Sequence, residues 1–312
     1  MNENTIEIND KELKKYCRKI YTVVGEKLIK EEQVSSEIVS NYYSKSAFYY
    51  KKFHSPEGAI HLPVSFSEKE SHGEKLLYQA KSIDKIINTH NYSNILELGC
   101  GMGFNTNYLA KKNPGKKFTG VDLTADNIKQ AKKNATDSDN SIFLQGDFDD
   151  PETIQGKYDL IFAVETLCHS NNLIELILNY RDKLADNGRM IIFDAYVKKD
   201  AKVLKGEFEQ KAYHLLLWGF ALNQFQKMSD ILDAEKLISI ESITDYTVNV
   251  APNAIVFQKA AIKVLRFHLF LKLLLKTGIV SIAFIKQLSA GLFGPYFGHT
   301  GYLGYYKIVI TK

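Results

Sequence analysis

Residues 95–106, ILELGCGMGFNT, have the composition and spacing of a ligand-binding loop. Gly99, Gly101 and Gly103 follow an apolar run, and the acid Glu97 lies two positions before the first glycine. Glycine adopts positive φ angles and allows a ligand to contact the backbone. Loops of this kind bind NAD, FAD, ATP or S-adenosylmethionine (SAM), so the spacing of the glycines must distinguish between these ligands.

The glycine spacing does not fit the nucleotide-binding motifs. A dinucleotide motif, G-x-G-x-x-G/A, would need glycine or alanine where the chain has Phe104 or Thr106. A Walker loop would need Lys followed by Ser or Thr, and this segment has no such pair. The pattern present is acid-x-G-x-G-x-G, which resembles motif I of the class I SAM-dependent methyltransferases.

Alternating strand-like and helical segments position this loop. Strand-like runs lie at 94–98, 117–122, 141–145, 158–164 and 189–195, and helical stretches lie at 104–112, 125–135 and 172–185. Such alternation predicts βαβ units and a parallel sheet that is covered on both faces. Ligands bind such a sheet beyond the carboxyl ends of its strands, which is where the glycine loop lies. Two later strands are predicted at 238–247 and 302–311, on either side of an apolar helical segment.

Acids after two later strands extend the resemblance to the methyltransferases over residues 93–195. Asp122 ends the second strand and Asp147 follows the third. The resemblance implies that Asp122 binds the ribose of SAM, that Asp147 binds its adenine, and that Glu97 orients its methionine end. It also implies SAM as cofactor, S-adenosylhomocysteine (SAH) as product, and no metal. The expected cofactor-binding residues are Glu97, Gly99, Cys100, Gly101, Gly103, Asp122, Leu123, Asp147, Phe148 and Val164.

The fold that this resemblance implies is α/β, with a doubly wound, mostly parallel seven-stranded sheet of the Rossmann-like class I methyltransferase type. Helical periodicity over residues 10–50 predicts an N-terminal helical cap. The expected organisation has four parts. They are the cap at 1–90, the SAM-binding core at 91–250, an apolar helical insertion or lid at 251–300, and the last strand of the core sheet at 301–312.

The segment after the fourth strand, ETLCHS, contains the residues expected to act on the methyl acceptor. It resembles the E-x-x-C-H-A segment of sterol C-methyltransferases and, more loosely, that of tocopherol methyltransferases. The aromatic segment at 41–55, NYYSKSAFYYKKFHS, is similar to the one that precedes motif I in the sterol enzymes. The resemblance implies that Glu165 stabilises positive charge and that His169 is a base. The implied cavity aromatics are Tyr42, Tyr43, Tyr49 and Tyr50.

These residues fit more than one reaction. The first hypothesis is C-methylation of an isoprenoid-like or sterol-like alkene, because aromatic faces stabilise a carbocation. The alternative is N- or O-methylation of a small metabolite or lipid headgroup, with Glu165 or His169 as proton acceptor. Two other classes stay open. One is an NAD-dependent oxidoreductase, since NAD enzymes also have an acid at the position of Asp122, and the other is a SAM-binding subunit without catalysis.

Composition restricts the class of partner. The formal charge is +4 over 312 residues and the lysines are scattered, so no nucleic-acid partner is expected. Three cysteines without a paired motif favour a reducing, cytoplasmic environment, and the polar first residues show no signal peptide. The expected partner is a small-molecule substrate, while a homo-oligomer and peripheral contact with a membrane stay open.

The apolar segment at 263–286 contains several charges and is not expected to span a membrane. His268, Lys272 and Lys276 are predicted to share one helix face, opposite leucines and phenylalanines. Such a helix could contact a membrane surface or admit substrate, or it could pack on its own domain. Residues 289–306 are glycine-rich and are predicted to form a loop over the acceptor, with His299 as a second candidate base.

Overall fold

A central sheet of seven strands organises the protein, and the computed structural model describes residues 10–135 and 139–312. The strands are β1 (Asn94–Leu98), β2 (Lys117–Asp122), β3 (Ser141–Gln145), β4 (Tyr158–Val164), β5 (Leu184–Val197), β6 (Ile240–Asp245) and β7 (Leu303–Thr311). Their order in the sheet is β3-β2-β1-β4-β5-β7-β6. The first five strands are parallel, and β7 is antiparallel to both β5 and β6. The predicted α/β fold with a mostly parallel seven-stranded sheet is therefore confirmed.

Helices cover the sheet and form a separate layer beside it. Those before the sheet are α1 (Asp10–Val24), α2 (Glu26–Glu31), α3 (Ser36–Phe53), α4 (His72–Leu76) and α5 (Tyr78–Thr89). The parallel strands are connected through α6 (Phe104–Lys112), α7 (Ala125–Asn134) and α8 (Leu173–Asp182). Between β5 and β6 lie α9 (Glu207–Phe220), α10 (Met228–Asp233) and α11 (Glu235–Ile238). Between β6 and β7 lie α12 (Thr247–Leu265), α13 (His268–Lys276) and α14 (Ile282–His299).

Three apolar clusters hold these layers together. Side chains of β1 and β4 alternate between the two faces of the sheet, so that Leu96 and Ile161 pack on one face while Ile95 and Leu160 pack on the other. Strands buried on both faces have the near-continuous apolar sequences seen here. The third cluster lies within the helices α1, α9, α12, α13 and α14, and we call it the cap core.

The N-terminal helical region is divided, whereas its periodicity predicted one helical stretch over 10–50. Gly25 separates α1 from α2 with a φ of 97°, a left-handed conformation that interrupts a helix. Ser35 then begins α3, and its side chain accepts a hydrogen bond from the Ile38 amide as an N-cap. Each break has a local chemical signal in the sequence, although the apolar spacing is continuous across both.

The predicted glycine-rich loop at 289–306 is wrong, because α14 extends through most of it. Glycine allows close helix packing here. A Cβ built on Gly219 of α9 would lie 2.6 Å from the Ala290 amide nitrogen of α14. His299 ends α14 as an exposed residue. Within this segment, Ala290 therefore lies where α14 and α9 approach closely.

Helix α13 also differs from its predicted arrangement. Leu271 is buried in the cap core, as expected for a helix packed on its own domain. Leu269, Phe270 and Leu273 are instead exposed, on the same side as Lys276, so the cations do not lie opposite all of the large apolar side chains. Within the two described ranges, no helix is both long and apolar enough to cross a membrane.

Candidate active site

The glycine loop connects β1 to α6 at the carboxyl edge of the sheet. Gly99, Gly101 and Gly103 have φ angles of 65°, 52° and 80°, which are left-handed conformations that favour glycine. At Gly99 space matters as well, since an added Cβ would lie 1.9 Å from Oγ1 of Thr166. The loop thus takes three left-handed glycines at the sheet edge, where Thr166 and Ile60 pack against it.

Glu97 ties the end of β1 to the first turn of α6. Its carboxylate accepts hydrogen bonds from Nδ2 of Asn105 and the amide of Thr106, both at 3.0 Å, and from the Thr106 hydroxyl. A carboxylate stabilises the free amides of a helix N-terminus. Burial raises the pKa of Glu97 to about 7 despite these bonds. Its direct contacts are therefore with the protein itself, and a role in orienting the methionine end of SAM stays a prediction.

Asp122 connects the ends of β1 and β2. Its carboxylate accepts hydrogen bonds from the amides of Gly101 and Thr124, both at 2.9 Å, and from Nδ2 of Asn127 at 3.1 Å. These occupy three of the roughly four acceptor positions of a carboxylate. Burial raises the pKa of Asp122. The acid is thus fixed beside the glycine loop, and the Thr124 side chain is a further hydrogen-bond partner.

The other predicted cofactor residues lie around this edge, and most of them are buried or hydrogen-bonded within the protein. The Cys100 side chain is buried with Phe143, its amide donates to the Val121 carbonyl, and its own carbonyl accepts from the Gly103 amide. Asp147 accepts the Asp149 amide at 2.9 Å. Phe148 is half-buried against the core, and Val164 is buried at the end of β4. Leu123 follows Asp122 and is half-buried.

An unpaired acceptor beside Glu97 suits a cationic ligand group. Oδ1 of Asn105 is buried and has no hydrogen-bond partner among the described residues, while Nδ2 of the same side chain donates to Glu97. Burying an acceptor without a partner costs free energy. The ammonium group of the methionine end of SAM is a donor that would satisfy Oδ1. The residues present therefore fit SAM.

Glu165 is a strained, half-buried acid directly after β4. Its φ of 51° is uncommon for a residue with a side chain. Oε1 accepts the amide of Leu62 at 2.7 Å, and the carboxyl is also hydrogen-bonded to the Tyr305 side chain. Burial raises the pKa of Glu165 to about 8. The carboxyl is consequently protonated at neutral pH unless a positive charge comes close to it.

His169 ends a short 3₁₀ helix, Leu167–His169, close to the same edge. Its Nε2 lies 2.9 Å from the hydroxyl of Tyr43, and the two rings meet edge to face with centroids 5.6 Å apart. Burial lowers the pKa of His169 to about 4, so the imidazole is neutral at physiological pH. The pair joins the N-terminal helical region to the core.

The aromatic residues of α3 have different surroundings. Tyr42 and Tyr43 pack edge to face at 5.0 Å. Burial, together with nearby groups that include the Glu165 carboxyl, raises the pKa of Tyr50 to about 12. Tyr49 instead stacks on Phe284 of α14 with centroids 4.8 Å apart. Tyr43 and Tyr50 thus lie near His169 and Glu165, while the described contacts of Tyr49 hold α3 against α14.

Sequence reasoning missed two residues of this cluster. Asp194, near the end of β5, is buried and accepts the amides of Cys168 and Ala195 at 3.0 and 2.8 Å, and burial raises its pKa to about 7. Tyr305 of β7 is hydrogen-bonded to Glu165 and accepts from Gln79. Asp194 has the signal used for Asp122, an acid near the carboxyl end of a strand. Tyr305 has no such signal in the sequence, because it reaches this edge only through the antiparallel pairing of β7 with β5.

In the part of the chain that the structure describes, no group of three His, Cys, Asp or Glu side chains could hold a metal ion. The polar groups that line the site are the hydrogen-bonding, aromatic and titratable side chains named above.

Comparison with known proteins agrees with this geometry. Residues 96–190 match the family described as Methyltransferase domain. A malonyl-[acyl-carrier protein] O-methyltransferase from Priestia megaterium is 36% identical over 97 residues, which are 31% of this chain and 35% of the relative. The chain thus spans about a third of that curated relative's length.

Two solved structures share the architecture at low sequence identity. The cyclopropane synthase MmaA2 from Mycobacterium tuberculosis superposes with a TM-score of 0.71 at 12% identity, over 90% of this chain and all of the other. Geranyl diphosphate C-methyltransferase from Streptomyces coelicolor A3(2), solved with geranyl diphosphate and SAH, gives a TM-score of 0.60 at 14% identity over 88% and 97% of the chains. These likenesses concern the fold. With the family match over residues 96–190, they show a methyltransferase domain, for which SAM is the implied cofactor, in a chain that has the class I methyltransferase fold.

Proposed function

We propose that the protein is a SAM-dependent methyltransferase that acts on a small apolar or amphipathic molecule and methylates an alkene carbon. The observation that carries this proposal is the buried cluster beside the glycine loop, in which Glu165 is joined to Tyr305 and His169 to Tyr43. Burial keeps both titratable groups uncharged before reaction. Such surroundings suit an apolar acceptor, because a polar acceptor would be poorly solvated there.

The side chains have distinct roles in this proposal. SAM, when bound, supplies an electrophilic methyl group. The acceptor carbon next to the new bond becomes positive. A positive charge close to Glu165 lowers the pKa of its carboxyl, which releases its proton to water, and the ionised form then stabilises the charge. The faces of Tyr43 and Tyr50 add attraction through their ring quadrupoles. Tyr43 accepts the departing proton as its own proton passes to Nε2 of His169, which the 2.9 Å separation allows.

The pKa of His169 favours this reaction over methylation of a hydroxyl. An imidazole whose pKa is about 4 is a weak base and would remove a hydroxyl proton inefficiently. A carbocation is a very strong acid, so even this imidazole accepts its proton with a large driving force.

O-methylation of a carboxylate is the second candidate. The specific observation that favours it is the 36% identity to a malonyl-[acyl-carrier protein] O-methyltransferase. A carboxylate needs no base to attack a methyl group, so this reaction would use the apolar cluster only for binding. N-methylation would likewise leave the pair of Tyr43 and His169 without a necessary role.

Products made with methyl-labelled SAM distinguish these reactions. The full chain is incubated with labelled SAM and an organic-solvent extract of the producing cells, and the products are partitioned. We expect label in the organic phase that resists mild alkali, as carbon-bound methyl does. Label released as methanol would support a methyl ester, and label on a water-soluble amine would contradict an apolar acceptor.

Two matched variants test the proton transfer. Tyr43→Phe keeps the ring but removes the hydroxyl that bonds to His169, whereas Tyr49→Phe removes a hydroxyl from the ring that stacks on Phe284. We expect Tyr43→Phe to lower kcat by about a hundredfold while SAH affinity is retained, since general base catalysis contributes at least that factor. Tyr49→Phe should retain kcat. Equal activity of the two variants would contradict the assigned route for the proton.

A further inference from the structure

A row of large apolar side chains is exposed on and beside α13. We call it the α13 face, and its members with their exposed fractions are Phe267 (70%), Leu269 (66%), Phe270 (60%), Leu273 (55%) and Ile279 (69%). Single exposed apolar residues are ordinary, but five within thirteen positions form a patch of the kind that marks an interaction surface. The patch belongs to neither the glycine loop nor the cluster around Glu165.

The helix that carries this face is fixed by its opposite side. Leu271 is 4% exposed and belongs to the cap core, where it joins Leu13 of α1 and Leu265 of α12. Leu275 packs against the same cluster. Residues at i, i+1 and i+4, such as Leu269, Phe270 and Leu273, share the other side of a helix. Since α13 is anchored by its buried side, the apolar residues on its other side are held in solvent.

The charges within the segment that carries the face are all of one sign. The sequence from 263 to 280 contains four cations, Lys263, Arg266, Lys272 and Lys276, and no aspartate or glutamate. Lys272 and Lys276 lie three residues from Leu269 and Leu273 respectively, which places them beside the exposed apolar side chains. Apolar residues bordered by lysines and arginines are typical of helices that lie in the interface of an anionic membrane.

We propose that the α13 face binds the surface of an anionic lipid bilayer. The apolar side chains enter the boundary between headgroups and acyl chains, while Arg266, Lys272 and Lys276 contact the lipid phosphates. A second copy of the chain fits less well, because a two-fold contact through this face would bring the same cations together. This inference goes beyond the proposed function and holds whichever atom is methylated.

The cap core connects the α13 face with the neighbourhood of His169, which is relevant if the acceptor is apolar. Leu271, beneath the α13 face, and Cys168, next to His169, are both in contact with that one apolar cluster. The α13 face and Cys168 therefore border the same apolar cluster, and binding at that face would keep the protein at the surface where an apolar acceptor is concentrated.

Sedimentation with sucrose-loaded vesicles tests the proposal. The full chain is mixed with vesicles of equal parts phosphatidylcholine and phosphatidylglycerol, or of phosphatidylcholine alone. We expect it to sediment with the anionic vesicles and to be released by high salt, which screens such attraction. The charge variant Lys272→Ala/Lys276→Ala should bind roughly twentyfold more weakly, since each cation near an anionic surface contributes about fivefold.

A matched pair of leucines tests whether the position on the α13 face matters. Leu273 of α13 and Leu237 of α11 are 55% and 57% exposed, so glutamate at either position should be tolerated equally by the fold. We expect Leu273→Glu to abolish vesicle binding and Leu237→Glu to retain most of it. An equal loss in both variants, or no binding by the unaltered chain, would overturn the proposal.

Two further measurements distinguish membrane binding from dimerisation and from loss of the fold. Light scattering reports the oligomeric state, and a dimer that Leu273→Glu converts to a monomer would assign the face to a second copy and refute membrane binding. Calorimetric titration with SAH reports the cofactor site. Unchanged SAH affinity in Leu273→Glu shows that loss of vesicle binding is not loss of the fold, and vesicle binding without methyl transfer would contradict the proposed function alone.

Discussion

At the scale of single residues, burial dominates the electrostatics of the candidate site. It raises the pKa values of Glu97 and Asp194 to about 7 and that of Glu165 to about 8, while it lowers that of His169 to about 4. Each shift favours the uncharged form, as desolvation does. At neutral pH the Glu165 carboxyl and the His169 imidazole are therefore mainly uncharged, whereas Glu97 and Asp194 are partly ionised.

Glu165→Gln should stabilise the free protein most strongly in alkali. Because the folded-state pKa of Glu165 is about 8 against 4.5 ordinarily, the folded protein binds the extra proton between these values. Stability contributed by this group is therefore lost as pH rises towards 8, and glutamine lacks the loss. We expect the gain in Tm over the unaltered chain to be larger near pH 9 than near pH 5 by calorimetry.

Glu70→Gln is a control for this prediction, because the pKa of Glu70 is lowered whereas that of Glu165 is raised. The amides of Phe66 and Ser67 donate to its carboxylate and lower its pKa, so its replacement should not stabilise the protein in alkali. A Tm gain in Glu165→Gln that is the same at both pH values would show that Glu165 is ionised in the folded protein.

Sequence reasoning brought together Glu165 and His169 but missed Tyr305 and Asp194. The first pair lies in one short segment that resembles a known motif. Tyr305 reaches Glu165 only because β7 returns beside β5, with Tyr305 opposite Ala195. Contacts of this range depend on strand register, which local patterns do not specify. The residues that tune a site are accordingly harder to predict than those that resemble a motif.

At the scale of elements, short buried strands were the most predictable features. The predicted bounds of β1 to β4 and of α6 agree with the structure, since apolar runs there end at glycines, acids or prolines. The prediction of a loop at 289–306 was wrong. The glycines there favour a loop locally, but the segment packs as a helix whose Ala290 lies close to Gly219 of α9. Tertiary contact overrides propensity in such segments.

Gly99→Ala should weaken SAH binding and lower stability. The alanine Cβ would overlap Thr166, and the alanine would also have to adopt a φ of 65°. We expect more than a tenfold loss of SAH affinity by calorimetry, because the loop must shift, and strain of this kind costs about 1–3 kcal/mol. Gly115→Ala is the control, since nothing lies within 4 Å of its added Cβ. Similar SAH affinity in both variants would argue against a binding role for the loop.

At the scale of the whole molecule, the N-terminal region lies directly on the cofactor side of the core. Ile60 contacts Gly101, Gly58 contacts Met102, and the Leu62 amide bonds to Glu165. The helices of the cap core pack together beside this region. Access to the site therefore depends on how firmly the helical layer is held together.

A buried ion pair between Glu32 and Lys286 is one such connection, and removing its acid should loosen the layer. Lys286 is 3% exposed, bonds to Glu32 after α2, and lies 5.9 and 5.4 Å from the ring centroids of Tyr42 and Trp218. Glu32→Gln leaves a buried cation without its counterion and should reduce the free energy of unfolding in urea by about 3 kcal/mol. Glu207→Gln breaks the exposed pair with Lys211 and should change the free energy of unfolding far less, because solvent screens that pair. Equal losses would mean that Lys286 is solvated and that the ion pair does not hold α14 to the N-terminal region.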